Sequence, residues 1–466
     1  MLKLPQLLLS LTLLSACTGQ TFGPRLAMTD TPGFQPLAPA KAHVSIQSAE
    51  PIQNELIVKY KAGFSTQSQR RHAQAVLLDN FQTADESTQL HRLNGQQSLD
   101  EALRFYETDP GVEFVMPNLQ FEVQMTPADQ DQSIFERIRQ WFWRDHTAAV
   151  PELQPGARPA VQTDSSAPDP LRGQQWYLNQ LQMAEVWQNY GVGQSGITVA
   201  VLDTGVDYDH PDLAGKVLKG PDYIDKNYDP KDLHGHGTHV AGVISAQLSN
   251  QEGISGMAPQ VQILAIRVLD ARGSGSLFNI AKGIAYAANQ GAQVINLSLG
   301  SPPGGSIMRT MANFLASYTE KKGALIIAAA GNSAGAIGYP AAASRFMAVG
   351  AVNEQKYLAT FSNRGPELDV VAPGVNILST YPTYEVTTNA LGLSQNYASL
   401  NGTSMATPMV SALAAMLWSQ NPYLTPAEVR ERIENTATDL GPIGRDDMFG
   451  QGLIHPLRAL QDTDGD

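Results

Sequence analysis

At 466 residues the chain is too long for one ordinary core, and two folded units are expected. With 42% apolar and 16% charged residues it reads as a globular protein with extensive buried strands and few charged faces. A net charge of −13 without any basic patch excludes nucleic acid as a partner, because binding phosphates requires clustered Lys and Arg.

The N-terminus carries Lys3 and then an apolar run, Leu7 to Leu14, too short to cross a bilayer and suited to a secretory signal. It ends in Leu14-Ser15-Ala16-Cys17, which resembles a bacterial lipoprotein signal, in which the cysteine is acylated and becomes the new N-terminus. Cys17 is the chain's sole cysteine, so no internal disulfide is available. Residues 1–17 are thus expected to be a lipoprotein-type signal, and the lipidated Cys17 the only membrane contact. Residues 18–50, rich in Thr, Pro, Ala and Gln without periodicity, read as a flexible tether.

Residues 51–125 read as a small α+β module. Its expected order is a strand at Glu55–Tyr60, a helix over 66–78, a strand at Leu90–Leu93, a helix over Leu99–Glu107 and a strand at Gly111–Val115. Residues 126–170 turn to Pro, Gln, Asp, Ser and Ala and read as a linker, interrupted by an amphipathic helix candidate at Ile134–Trp143.

From residue 171 to 466, buried strand-like runs at 197–202, 261–268, 294–299, 325–330 and 346–351 alternate with helical stretches. That alternation predicts parallel strands with crossover helices, a three-layer α/β fold, with functional residues on loops at the carboxyl edge. Asp203-Thr204-Gly205 and Gly331-Asn332 fall there. Asn401-Gly402-Thr403-Ser404 runs into an apolar segment ending at Trp418, which puts Ser404 at the start of a buried helix. Amides at such a start can face a forming anion. A serine hydroxyl is a poor nucleophile without a base, and His236 offers a ring pKa near working pH.

The phrases VAVLDTGVDYDHPDL, HGHGTHVAGVIS, VINLSLG, AAAGN, YPA, VAPG and NGTSMATP stand in order between about Leu171 and Leu460. In that order and spacing they resemble the subtilisin family of serine proteases, nearest its thermitase-like branch. The resemblance implies a triad of Asp203, His236 and Ser404, with Asn332 donating to the oxyanion. It implies that Gly273, Ser274 and Gly275 form one rail for an extended peptide, and Ser298, Leu299 and Gly300 the other. Ala330 and Gly331 would shape the primary side-chain pocket, for which apolar or aromatic side chains are expected. His239 would be a packed helix residue and His234 has no assigned part. It further implies a structural calcium ion held by Asp212 and the Asn250 loop, with Asp169 as a further acid. The family usually reads His-Val-Ala-Gly after this serine's phrase, whereas this chain has Met409-Val410-Ser411-Ala412.

Residues 51–125 resemble the inhibitory propeptide of subtilisins, with Val112-Glu113-Phe114-Val115-Met116-Pro117-Asn118 closing the domain. The expected protein is a self-processing, secreted or cell-envelope bacterial endopeptidase, a monomer whose partners are polypeptide substrates and its own propeptide. Maturation is expected within the 126–170 linker.

Overall fold

The computed structural model describes residues 51–64, 75–83, 86–123, 125–127, 169–301 and 306–461. Cys17, the expected tether over 18–50, most of the expected linker and the helix expected at 134–143 lie outside them.

The N-terminal module comprises β1 (Pro51–Tyr60), β2 (Ala75–Thr83), β3 (Glu86–Leu93), α1 (Leu99–Glu107) and β4 (Val112–Val123), continued by the short β5 (Thr126–Pro127). β1 pairs antiparallel with both β3 and β4, and β2 closes the far edge against β3. Helix α1 begins with a capping box, in which Ser98 Oγ accepts the Glu101 amide and Glu101 accepts the Ser98 amide. Its buried side chains Ala102 and Tyr106 join Leu56, Val58 and Val115 in one core. The helix expected over 66–78 is corrected where it is described, because residues 75–78 belong to β2. Paired with β3 from Ala75↔Leu93 to Thr83↔Glu86, they gain a ladder that outweighs helical propensity.

The larger unit is built on seven strands in the order β14-β13-β12-β10-β6-β8-β7. These are β6 (Thr198–Asp203), β7 (Val217–Asp222), β8 (Gln262–Arg267), β10 (Val294–Leu297), β12 (Leu325–Ala329), β13 (Met347–Val352) and β14 (Val370–Pro373). Every neighbouring pair is parallel. Helices cover both faces, so the central strands read as unbroken apolar runs, as in Val199 to Leu202 and Leu325 to Ala329. After the entry helices α2 (Trp176–Gln180) and α3 (Met183–Tyr190) come α4 (His236–Ser245), α5 (Leu277–Asn289), α6 (Ser306–Lys321) and α7 (Thr403–Gln420). The chain closes with α8 (Pro426–Asn435) and α9 (Pro456–Gln461). The helices pack on the sheet in pairs, α4 with α7 and α5 with α6. This is the expected three-layer fold. The edge strands β7 and β14 had no clear apolar run to announce them.

The two units share strands. β4 is extended by two strands of the larger unit, β9 (Ser274–Ser276) and β11 (Leu299–Gly300). β5 pairs with β16 (Tyr397–Asn401), which itself pairs with β15 (Ile377–Thr380). Thr126 and Pro127, read from sequence as linker, are therefore part of a sheet. The module also sits on the helices. Asn118 Oδ1 accepts the Phe278 amide at 3.1 Å in the first turn of α5, while its amide donates to Glu55 at 2.8 Å. Lys59, fully buried, pairs with Glu86 and lies 4.2 Å from the Phe314 ring centroid of α6, and Lys282 of α5 pairs with Asp79 at 2.6 Å.

Candidate active site

Asp203 ends β6 and His236 opens α4, both fully buried. His236 Nδ1 stands 2.8 Å from Asp203 Oδ1, a contact that fixes the ring and leaves Nε2 as its working nitrogen. The loop ahead of α4 is held by Asp232, a residue to which the sequence reading gave no part. Its Oδ1 accepts from Thr204 Oγ1, His234 N and Gly235 N at 2.8–2.9 Å. Its Oδ2 accepts from Thr238 N and Thr238 Oγ1 at 2.9 and 2.7 Å. One carboxylate thus ties the aspartate loop to the histidine loop. The signal for it is local, an Asp placed two and three residues before amides that must turn into a helix.

Ser404 is the second residue of α7 and fully buried. Pro408 lies four residues on and has no N–H, so the Ser404 carbonyl lacks its helical donor. Ser298 Oγ fills the gap at 2.9 Å, and Ser404 Oγ donates to the Ser298 carbonyl at 2.8 Å. Asn296 Nδ2 holds Ser298 Oγ at 2.9 Å, and Ser411 Oγ holds Asn296 Oδ1 at the same distance. Ser411 lies within the Met409–Ala412 stretch that departs from the family phrase. His236 Nε2 is buried and accepts no hydrogen bond among the described residues. The Ser404 hydroxyl is turned to the Ser298 carbonyl and not to this nitrogen.

Asn332 follows β12. Its Oδ1 accepts Thr403 N and Thr403 Oγ1, both at 2.9 Å, so Nδ2 is the end of the amide able to donate elsewhere. Thr403 N belongs to the same turn as Ser404, which couples the two residues. Asn363 supports this loop, with Oδ1 accepting Ser333 N and Gly335 N and Nδ2 donating to the Ala330 carbonyl. Gly331 has φ +107°, and a Cβ there would stand 2.3 Å from Asn363 Nδ2, so only glycine fits.

The two expected rails flank an extended segment, and the segment is the protein's own. Gln120 to Glu122 pair antiparallel with Ser276 to Ser274, and Glu122 and Val123 pair with Gly300 and Leu299. Val123 N donates to the Gly273 carbonyl at 2.9 Å. Beyond residue 124 the chain pairs again, Thr126 with Asn401 and Pro127 with Leu400. Asn401 is three residues before Ser404 in the chain. Phe121 is buried in an apolar recess between α5 and α6, lined by Leu277, Ile280, Met308, Leu315 and Phe346.

His239 is fully buried, its Nε2 2.8 Å from the Ile377 carbonyl, and burial pushes its pKa down to about 3. It is a packed helix residue, as expected. His234 is 5% exposed, its ring centroid 6.4 Å from that of His236.

Asp169, Asp212 and Asn250 do come together. Asp169 accepts Ser249 N, Gln251 N and Ser255 Oγ, and Asp212 accepts Asn250 Nδ2 at 2.9 Å and Ile254 N at 2.9 Å. Burial, with the Asp169 charge adding to it, pushes the Asp212 carboxyl up to about 6. Neither carboxylate makes an ion pair among the described residues. Asn250 is oriented by hydrogen bonds at both ends of its amide. Its side-chain oxygen accepts Glu252 N, and it turns its nitrogen, not its oxygen, to Asp212, because a carboxylate selects the donor end of an amide. Among the described residues no three His, Cys, Asp or Glu side chains gather as a metal cluster.

Comparison with known proteins bears on both units. The profile of the Subtilase family matches residues 194–452, and that of the Fervidolysin N-terminal prodomain matches residues 38–118, beginning inside the segment read as a tether. The chain is 35% identical over 426 residues to a thermophilic serine proteinase of Bacillus sp. (strain AK1), covering 91% of this chain and 92% of that one. It is 43% identical over 268 residues to thermitase of Thermoactinomyces vulgaris, covering 57% and 89%. Among solved structures it is similar to fervidolysin from Fervidobacterium pennivorans, described as a keratinolytic enzyme related to subtilisin. That match has a TM-score of 0.71 and 27% identity over 89% of this chain, which spans 62% of that one's length.

Proposed function

Since this chain belongs to the subtilase family of serine endopeptidases and carries a prodomain, we propose that Asp203, His236 and Ser404 form its triad and that it cleaves its own precursor. The observation that carries this reading is the pairing of β4 with both rails and of β5 with the strand that leads into the Ser404 turn, where an extended substrate would lie.

Ser404 Oγ leaves the Ser298 carbonyl, gives its proton to His236 Nε2 and attacks the peptide carbonyl. The negative oxygen that forms takes hydrogen bonds from Asn332 Nδ2 and the Ser404 amide. His236 then returns the proton to the departing amine, leaving an acyl-enzyme. Water, deprotonated by the same ring, releases the acid and restores Ser404. Asp203 orients the ring and stabilises its cation. The bond taken to be cut is the one between Gln124 and Met125, midway in sequence between the last upstream pairing at Val123 and the first downstream one at Thr126. This moves the processing point ahead of the 126–170 linker. The uncut strand fills the groove, so the module inhibits until it is cut. The recess around Phe121 supports a preference for a large apolar side chain at that position of a substrate. An aryl sulfonyl fluoride tests the assignment. Mass analysis should place one sulfonyl group on Ser404 with loss of activity, and modification elsewhere with Ser404 untouched would refute it.

The same reading includes a calcium ion at Asp212 and Asp169. Two buried carboxylates without a cationic partner, beside a loop of carbonyls, suit a hard oxygen-binding cation; Asn250 joins them if its amide turns. Bound there, calcium would supply structural stabilisation of the 249–254 loop. Asp212 must ionise to hold it, and its folded pKa lies above the ordinary 3.8. Without a cation the native state binds more protons than the unfolded one between about pH 4 and 6, so stability falls as pH rises through that window. A chelator should therefore lower the melting temperature by about 5–10 °C at pH 8 and by less at pH 5. Equal melting curves with and without chelator at pH 8 would dispose of the site.

Export and acylation at Cys17 belong to this reading on sequence alone, and fatty-acid labelling of the precursor with and without Cys17→Ser decides the latter.

A further inference from the structure

We infer that His234 is a specificity-determining residue, which faces the side chain one residue upstream of the cleaved carbonyl and, when protonated, favours a carboxylate there. The inference rests on the proposed reading of β4 as a substrate-like strand cut after Gln124.

Three observations carry it. Gly273 has φ +77°, and a Cβ built on it would stand 2.7 Å from Val123 Cγ2 and 3.1 Å from His234 Nε2. The ring nitrogen and the Val123 methyl therefore flank one point, left open by the missing side chain of Gly273. A side chain longer than valine, extending past that point, carries a polar group toward Nε2. Second, the ring is almost wholly buried, and Nδ1 has no hydrogen-bond partner among the described residues. Third, the acids around it are engaged elsewhere. Asp232, on its own loop, is saturated by five donors. Asp203 of β6 is taken by His236. Asp270, after β8, holds Arg272 and the amides of Arg272 and Ser274. Tyr381, after β15, donates to the His234 carbonyl and not to its ring.

Burial, and then the neighbouring His236, lower the basicity of the ring. A glutamate in the substrate at this position supplies the missing counter-charge. It raises the affinity of the ring for a proton, and by linkage the protonated ring raises the affinity for glutamate. Selectivity then follows pH in one direction, with carboxylate gaining over amide as pH falls.

The test uses the mature enzyme and two peptides of the residue 120–127 sequence carrying Glu or its near-isostere Gln in place of Val123. Comparing kcat/KM for the pair within one enzyme cancels the titration of His236 and any general loss in a variant. In the wild type the Glu/Gln ratio should rise about three- to tenfold from pH 8 to pH 6, and in His234→Asn it should stay flat. A ratio that does not move in the wild type overturns the inference, and this outcome requires no variant to fold. A ratio that moves equally in His234→Asn assigns the effect to another group and also overturns it. Mass analysis of the products separates the layers. Cleavage at a different bond removes the register on which the inference stands, and no cleavage of either peptide removes the proposed function itself.

Discussion

Ser404→Ala is expected to lower kcat by roughly a million-fold, the loss that removing the nucleophile of such a triad brings. The same variant should accumulate as an uncut precursor, since the proposed self-cleavage needs this hydroxyl. Folding should survive. Among the described residues the hydroxyl makes a single hydrogen bond, to the Ser298 carbonyl, and such a bond contributes about 1 kcal/mol net. The turn itself is held by other atoms, with Ser298 Oγ on the Ser404 carbonyl and Asn332 on Thr403. A folded Ser404→Ala protein with appreciable turnover would remove the serine from the mechanism. A melting temperature unchanged within a few degrees separates lost chemistry from lost structure.

Asn332→Ala should cost about a hundred- to thousandfold in kcat with little change in KM, because the donor acts on charge that exists only after attack. Alanine also strips the acceptor from Thr403, so the variant alone mixes two effects. Asn332→Asp separates them. Aspartate keeps an oxygen for Thr403 N and Oγ1 but has no N–H, and it brings a negative charge toward the oxyanion. An equal or larger loss in Asn332→Asp is the expected result. Near-wild-type turnover by this variant would mean that the asparagine only braces the nucleophile turn.

The residues proposed for the chemistry stand out in the sequence because each sits in a short contiguous phrase. Asp203 ends an apolar strand, His236 opens a helix after glycine, and Ser404 precedes a long apolar helix. Central parallel strands were legible for the same local reason, since burial on both faces writes an unbroken apolar run. Residues 75–78 were misread as helix because their apolar spacing suits either state, and pairing with β3 decides it. What could not be read is non-local. Asp232 joins loops separated by about thirty residues, and Ser298 fills the bond that Pro408 vacates more than a hundred residues away. Thr126 and Pro127 look like linker in composition, yet they pair with a strand before the catalytic serine, nearly three hundred residues on. Composition describes a segment by its own residues and says nothing of the groove that receives it. The part given to His234 has the same origin, since its neighbour Val123 comes from the other folded unit.

The most direct measurement of the account is the mass of the N-terminal fragment released when the purified wild-type precursor matures, alongside the Ser404→Ala precursor in the same buffer. The C-terminus of this fragment is more informative than the N-terminus of the mature enzyme, which later trimming of the 126–170 segment can move. The register of β4 and β5 predicts a fragment ending at Gln124 from the wild type and a single intact chain from Ser404→Ala. A fragment ending beyond Pro127, or self-cleavage of the alanine variant, would contradict it.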